Sequence, residues 1–184
     1  MPTFYPRTTA PSTTDLHWIQ TSYGGYNSCI LGYPSYATGS VLSNCTGYRW
    51  GRFLEECGLT TCNLSINQAS IWYLNTADGY HRGQSPKLGA VICWDEVNQG
   101  SGHVAIVEGI TYDSNNNVQS ITISESVYGG TPFRIQTIYP PNYSLYTGMT
   151  FQGFIYAPVN FDPERPPLTT EELICILKKR RRYY

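Results

Sequence analysis

The chain has 184 residues, of which 41% are hydrophobic and only 14% are charged, and its formal net charge at pH 7 is −1. This length suits one domain with a hydrophobic core, and so little charge excludes disorder that is driven by self-repulsion. A run of basic residues at 178–182 leaves the rest of the chain acidic, so nucleic acid is not an expected partner.

The six cysteines do not have the spacing of a disulfide framework, and a chain of this length does not need one. Cys57 and Cys62 resemble half of a zinc site, but no matching pair of ligands follows, so we expect reduced thiols, no metal and no cofactor. No apolar run reaches the roughly 20 residues of a membrane span, and the N-terminus lacks the basic and apolar regions of a signal peptide.

Composition divides the chain into three predicted parts. Residues 1–39 form an arm that starts with Pro and Thr and continues as an irregular lead-in rich in Gly, Tyr and Ser. Residues 40–160 form the main domain. Residues 161–184 form a linker and a short basic helix that begins at Thr169.

The first helix of the domain is predicted to begin near Cys45 and to end at Gly58. Its apolar residues recur at the spacing of one helical face: Trp50, Phe53, Leu54 and Cys57. Gly47 and Gly51 lie on one side of this helix. Because a glycine inside a helix costs about 1 kcal/mol, we expect another backbone to approach closely there.

A capping box, Ser65-x-x-Gln68, predicts a second helix. Its buried side would consist of Ile66, Ala69, Trp72 and Tyr73. Strands are then predicted at residues 89–94, 103–110, 118–125, 133–138 and 151–156. Helices followed by an antiparallel meander predict an α+β fold in which the N-terminal helices pack on the sheet.

Two residues at the starts of these elements indicate thiol chemistry. Cys45 lies at a predicted helix N-terminus, where the helix dipole and free backbone N–H groups favour the thiolate, the nucleophilic form of the side chain. His103 opens an apolar strand and can serve as the base for such a nucleophile. The pair predicts a thiol hydrolase.

The strands at 103–110 and 118–125 flank a turn and are predicted to form a hairpin. A turn centred at residue 114 places His103 opposite Glu125, whereas a half-residue shift moves the partner by one, so the register stays open. Glu125 shares a strand face with Ile121 and Ile123, which fits a carboxylate at the rim of a buried face. Such a carboxylate would orient the imidazole and stabilise its protonated form.

Three motifs follow one another along the chain: Asn44-Cys45-Thr46-Gly47-Tyr48-x-Trp50-Gly51-Arg52, Gly102-His103-Val104-Ala105-Ile106-Val107-Glu108 and Ile123-Ser124-Glu125-Ser126. In these motifs the chain resembles the CHAP domain, a family of cysteine- and histidine-dependent amidohydrolases and peptidases. The resemblance covers about residues 40–158. It implies a papain-like fold, cleavage of peptidoglycan amide bonds, Cys45 as nucleophile, His103 as base and Glu125 as its orienter.

The chain departs from the family pattern in two places. The family often has an asparagine two residues after the glutamate, where this chain has Val127. Some relatives have an Asp-rich loop before the cysteine, but residues 33–44 contain no Asp or Glu, so we expect no calcium.

Three further residues are predicted to contact substrate: Asn44, Trp94 and Tyr128. Alternative roles stay open for each of them. Asn44 would serve equally as a helix cap, and core packing would account equally for Trp94 and Tyr128, as it would for Trp50.

The predicted function is hydrolysis of bacterial cell-wall peptidoglycan, by an N-acetylmuramoyl-L-alanine amidase or a peptide endopeptidase. The lack of a signal peptide suggests a bacteriophage protein, in the virion or in the host cytoplasm before release, with virion or tail proteins as further partners. One alternative, motivated by Val127, is an inactive virion module that has a structural or wall-binding role. Another is a cysteine protease of similar fold that is directed at proteins.

Overall fold

The computed structural model describes residues 3–12, 14–18, 41–96 and 100–161. Within these residues, one α-helix packs against one antiparallel sheet of six strands, which confirms the predicted α+β class. Several predicted features lie outside the described residues: the lead-in at 19–39, the linker at 162–168, the helix that begins at Thr169 and the basic run at 178–182.

Helix α1 spans Cys45–Cys57, as the sequence predicts. The Asn44 side chain caps its first turn by accepting a hydrogen bond from the Thr46 backbone N–H at 3.2 Å. Gly58 ends the helix in the left-handed conformation (φ 62°), which glycine adopts without a steric penalty. No helix in the described part of the chain has the length and apolarity to cross a membrane.

The sheet has the strand order β1-β6-β2-β3-β4-β5. Its strands are β1 (Arg82–Gly83), β2 (Val91–Glu96), β3 (His103–Tyr112), β4 (Val118–Glu125), β5 (Arg134–Ile138) and β6 (Met149–Ile155). The five longer strands confirm the predicted ones, with ends that move by two residues at most. The short edge strand β1 has no counterpart among the predictions.

The predicted second helix is wrong, because the segment after Ser65 forms only short 3-10 turns at Ala69–Ile71 and Thr76–Asp78. The Ser65 hydroxyl accepts from the Asn67 backbone N–H, so the capping box does not form. The Arg82 guanidinium instead donates to backbone carbonyls of the segment: those of Trp72, Tyr73, Asn75 and Tyr80. These carbonyls are satisfied by a side chain from β1 and need no helix.

Alternating residues of the strands separate two hydrophobic clusters on the two faces of the sheet. The face toward α1 holds Val91, Cys93 and Val104 together with the helix residues Tyr48 and Phe53. The other face holds Ile92, Trp94, Ala105, Ile121, Ile123 and Phe154. Burial of both faces explains why the strands read as nearly continuous apolar runs in the sequence.

The N-terminal segment packs against α1. A Cβ atom added to Gly51 would lie 2.6 Å from the His17 carbonyl oxygen and 2.5 Å from Trp18 Nε1. The expected close approach of a backbone to this helix therefore occurs at Gly51, and the approaching backbone is that of the N-terminal segment. Arg7 of the same segment forms an ion pair with Glu55 of α1.

Candidate active site

Cys45 lies at the N-terminus of α1 and lines a surface cleft of about 510 Å³. The positive end of the helix dipole and the N–H groups of the first turn lie at this residue. Because only 9% of the residue is exposed, a reagent reaches the sulfur only through the cleft.

His103 is the first residue of β3 and lines the same cleft. Its Nε2 atom lies 2.5 Å from Glu125 Oε2, which leaves Nδ1 for the Cys45 side chain. Burial disfavours the charged imidazole, but the charges of Cys45 and Glu125 and hydrogen bonds to both outweigh it and raise the pKa of His103 to about 9. The imidazole of His103 is therefore largely protonated at neutral pH.

The register of the β3–β4 hairpin differs from the predicted one. Ile106 pairs with Ser124, so continued pairing would place Glu125 opposite Ala105. The register centred at residue 114 is therefore wrong by two residues. Because an even shift keeps every side chain on its own face, Glu125 still meets His103, as a diagonal neighbour.

Glu125 is completely buried and is held by more than the imidazole. Arg134 Nε donates to its Oε1 atom at 2.6 Å, and the Gln136 side-chain amide donates to the same oxygen. The Tyr146 hydroxyl lies 3.2 Å from Oε1 and 3.1 Å from Oε2. Burial would raise the pKa of Glu125, but hydrogen bonds from His103, Arg134 and Gln136 and the charge of His103 hold that pKa below its usual value.

Two aromatic rings fix the orientation of the imidazole. The Trp94 ring centroid lies 5.9 Å from that of His103, and the Tyr146 ring meets His103 edge-on at 5.4 Å. Trp94 is completely buried, and its Nε1 donates to the Tyr143 carbonyl at 2.8 Å. The structure thus corrects the interpretation of Trp94 as a substrate-contacting residue, because this side chain supports His103 from within the core.

The other predicted substrate-binding residues do line the cleft. Asn44 contributes to its wall, although its side-chain oxygen also caps the helix. Tyr128 is 62% exposed at the rim, and Val127 stands beside it. Trp50 lies in the core and donates to the Ser65 carbonyl. Apart from Cys45 and His103, every described residue that lines the cleft is uncharged.

Sequence reasoning missed the residues that hold Glu125. Arg134 and Gln136 belong to a correctly predicted strand, and they share a face with the buried Ile138. That alternation would have placed them toward the core face. Their meeting with Glu125 depends on the pairing of β5 with β4, and no turn of fixed length specifies that pairing.

No three His, Cys, Asp or Glu side chains among the described residues come together as a metal site. The described cysteines, including Cys57 and Cys62, are free thiols.

Comparison with known proteins agrees with this geometry. The family model of the CHAP domain matches residues 35–126, which contain all three motifs and the residues Cys45, His103 and Glu125. A search of curated proteins found no match. The family match, the helix and the antiparallel sheet together show the predicted papain-like fold. The chain therefore belongs to the CHAP domain family, whose members are hydrolases that act on peptidoglycan.

Proposed function

We propose that this protein cleaves an amide bond of peptidoglycan by a thiol mechanism in which Cys45 is the nucleophile, His103 the acid and base, and Glu125 the orienting carboxylate. One observation carries the proposal. The His103 imidazole interacts with the Cys45 side chain on one side and with Glu125 Oε2, at 2.5 Å, on the other. A nucleophile, a base and an orienter in hydrogen-bond contact are what acyl transfer to a thiol requires.

In the first half-reaction, the Cys45 thiolate attacks the amide carbonyl carbon and forms a tetrahedral oxyanion. The carbon–nitrogen bond then breaks as the His103 imidazolium gives the proton on Nδ1 to the leaving amine, which leaves a thioester on Cys45. In the second half-reaction, neutral His103 takes a proton from water, the hydroxide adds to the thioester, and the carboxylic acid product leaves the regenerated thiolate.

The Cys45 backbone N–H supports the oxyanion in this proposal. It belongs to the first turn of α1, where N–H groups have no partner within the helix. A donor at such a position stabilises the transition state by about 2.7–4 kcal/mol in enzymes where one has been removed. The adjacent helix dipole acts in the same direction.

The cleft favours an uncharged stretch of the wall polymer. Its described lining includes Ala69, Val127, Tyr128 and Met149, which suit methyl groups and sugar or peptide backbone rather than carboxylates. Asn44 and Tyr128 remain the proposed substrate contacts. Both an amidase and an endopeptidase act on bonds of this kind, and mass spectrometry of digested peptidoglycan distinguishes them by the new amino termini.

The test is loss of turbidity of purified cell walls, with the wild-type protein beside Cys45→Ala. We expect Cys45→Ala to be inactive and the matched variant Cys62→Ala, which removes a thiol outside the cleft, to be as active as wild type. Equal curves for wild type and Cys45→Ala would overturn the proposal and favour the inactive wall-binding module that Val127 motivates. Cleavage of casein without cleavage of walls would favour the protein-directed protease.

Bacteriophage origin, virion or tail partners and the location before release stay predictions. Proteomic analysis of purified virions tests them, because a virion protein copurifies with tail proteins whereas a lysin that is released late does not.

A further inference from the structure

The carboxylate of the site is surrounded by donors that the triad itself does not include. We propose that Arg134, Gln136 and Tyr146 form a clamp that holds Glu125 ionised and aimed at His103, and that these are positioning residues for the reaction. This inference rests on the proposed function, since it assigns roles within the same site.

The clamp follows from the register of the last strand. Arg134 pairs directly with Glu125, and Gln136 pairs with Ile123 two residues earlier on β4. Because alternate residues of a strand share a face, both side chains project on the side where Glu125 lies. Their hydrogen bonds to Glu125 Oε1 are therefore cross-strand and diagonal contacts of one face.

The two carboxylate oxygens have separate tasks. Oε1 accepts from Arg134 and Gln136, whereas Oε2 accepts from His103. The Tyr146 hydroxyl lies near both oxygens and resists rotation of the carboxylate about its last bond. One oxygen therefore always faces the imidazole, and the catalytic histidine keeps one orientation.

The charged and titratable groups around Glu125 come from four parts of the chain. His103 faces it from β3, and Arg134 faces it from β5. Tyr146 faces it from the segment before β6, and Cys45 of α1 acts on it through His103. Without Arg134, the imidazolium would be the single cation beside Glu125 among the residues that the structure describes. A completely buried carboxylate with fewer partners binds a proton more readily.

Tyr146 connects the members of the clamp. The Arg134 guanidinium lies 5.2 Å from the centre of its ring, and the edge of that ring meets His103. Gln136 supplies a side-chain amide from a neighbouring strand, in a site where Val127 supplies none. The clamp thus supplies side-chain hydrogen-bond donors to the site, whereas Val127, at the position where the family often has an asparagine, supplies none.

The first test compares Arg134→Met with Arg134→Lys and with wild type. We expect kcat to fall by about 10- to 100-fold in Arg134→Met with little change in KM, since one charge-assisted hydrogen bond is lost away from the substrate. The acid limb of the pH profile should move to higher pH, because Glu125 then takes up a proton more easily. Arg134→Lys should restore most of the acid limb.

The second test does not depend on hydrolysis. The rate at which iodoacetamide alkylates Cys45 reports the thiolate, and its acid limb should move to higher pH in Arg134→Met and in Tyr146→Phe. Tyr139→Phe, which removes a hydroxyl from an exposed tyrosine outside the site, should match wild type. Tyr146→Phe keeps the ring and so remains informative where Arg134→Met fails to fold.

Unchanged kcat and unchanged acid limbs in both clamp variants would overturn the inference. So would a loss of activity that only follows the folded fraction measured by thermal unfolding. The proposed function fails separately. If Cys45→Ala is as active as wild type, hydrolysis does not proceed through Cys45, yet the alkylation profile of the protein with Cys45 in place still reports whether the clamp acts on the thiolate.

Discussion

Glu108 and Glu125 are buried carboxylates of the same hairpin, and they lie on opposite faces of the sheet. Glu108 accepts from Arg52 Nε at 2.9 Å and from the Ser124 hydroxyl at 2.6 Å, and it also accepts from the Arg7 backbone N–H. Glu125, the next residue after Ser124, instead has an imidazole as its partner at the cleft.

The two carboxylates have similar burial but different chemistry, because their partners differ. Arg52 keeps its proton at any ordinary pH, and its contacts with Glu108 raise the pKa of Arg52 further despite burial. Glu108 and its donors Arg7, Arg52 and Ser124, here called the Glu108 cluster, therefore join the N-terminal segment, α1 and the sheet by structural contacts that take no part in a reaction. His103 exchanges its proton within the accessible pH range, so the same kind of pair becomes part of a reaction.

The largest expected effect is that of Glu125→Gln on catalysis. The amide keeps the shape of the side chain but removes the charge that stabilises the imidazolium, so kcat should fall by about 100- to 10,000-fold. Thermal stability should fall only modestly, since Arg134 is 35% exposed and can reach water. Wall turbidity assays together with thermal unfolding check this, and a variant with full activity would show that Glu125 is not the orienter.

Glu108→Gln should have the opposite effect, with a large loss of stability and no change in kcat. It leaves the buried Arg52 guanidinium without the charge of a partner that is itself buried, and we expect a loss of about 3–5 kcal/mol in the free energy of unfolding. The kcat of the folded protein should not change, because Glu108 does not line the cleft. Urea unfolding measures the first quantity and turbidity assays measure the second.

Glu55→Gln is the control for that variant. Glu55 also pairs with Arg52, but its side chain is 25% exposed, so water replaces much of the interaction and the expected loss is less than about 1 kcal/mol. Equal losses in the two variants would contradict the importance of the buried partner.

The pH dependence should distinguish the two carboxylate clusters as well. The pKa of His103 rises from 6.5 to about 9 on folding, so the stability that its protonation contributes is complete below pH 6.5 and is lost as the pH rises toward 9. Arg52 does not titrate in this window. The wild-type protein should therefore lose stability between these pH values, and His103→Gln should not. Urea unfolding at several pH values measures the difference, and parallel curves would contradict the raised pKa.

The smallest expected effect is that of Tyr128→Ala at the rim of the cleft. Loss of one exposed aromatic contact should raise KM by roughly 2- to 10-fold and leave kcat unchanged. Steady-state kinetics on soluble peptidoglycan fragments check this. A fall in kcat without a change in KM would show that Tyr128 acts on the reaction and not on binding.

Much of the fold could be predicted, because an element that buries one face or both faces has a regular pattern of apolar residues in its own sequence. The spacing of Trp50, Phe53 and Leu54 predicted α1, and continuous apolar runs predicted five of the strands. The second helix failed for a reason that is not local. The Arg82 side chain, several residues farther along, satisfies the carbonyls of that segment, and a capping box contains no information about such a partner.

The candidate site shows the same limit. Cys45, His103 and Glu125 could be picked out because each stands at a recognisable point of its element, and the alternation of β4 kept Glu125 on the right face although the register was wrong by two residues. The sequence leaves Trp94 open between the substrate groove and the core, because it does not show which aromatic side chains are buried, and the structure decides for the core.

The sequence by itself determined the α+β class, the helix that carries Cys45, the strands that carry His103 and Glu125, and the family to which the motifs point. These depend on periodicity, capping and short motifs, which are properties of neighbouring residues. Only the tertiary structure decided that Glu125 is held by Arg134, Gln136 and Tyr146, and that the similar carboxylate of Glu108 has an arginine as its partner. Strand register and the packing of distant loops bring these groups together, and both are set by the whole core.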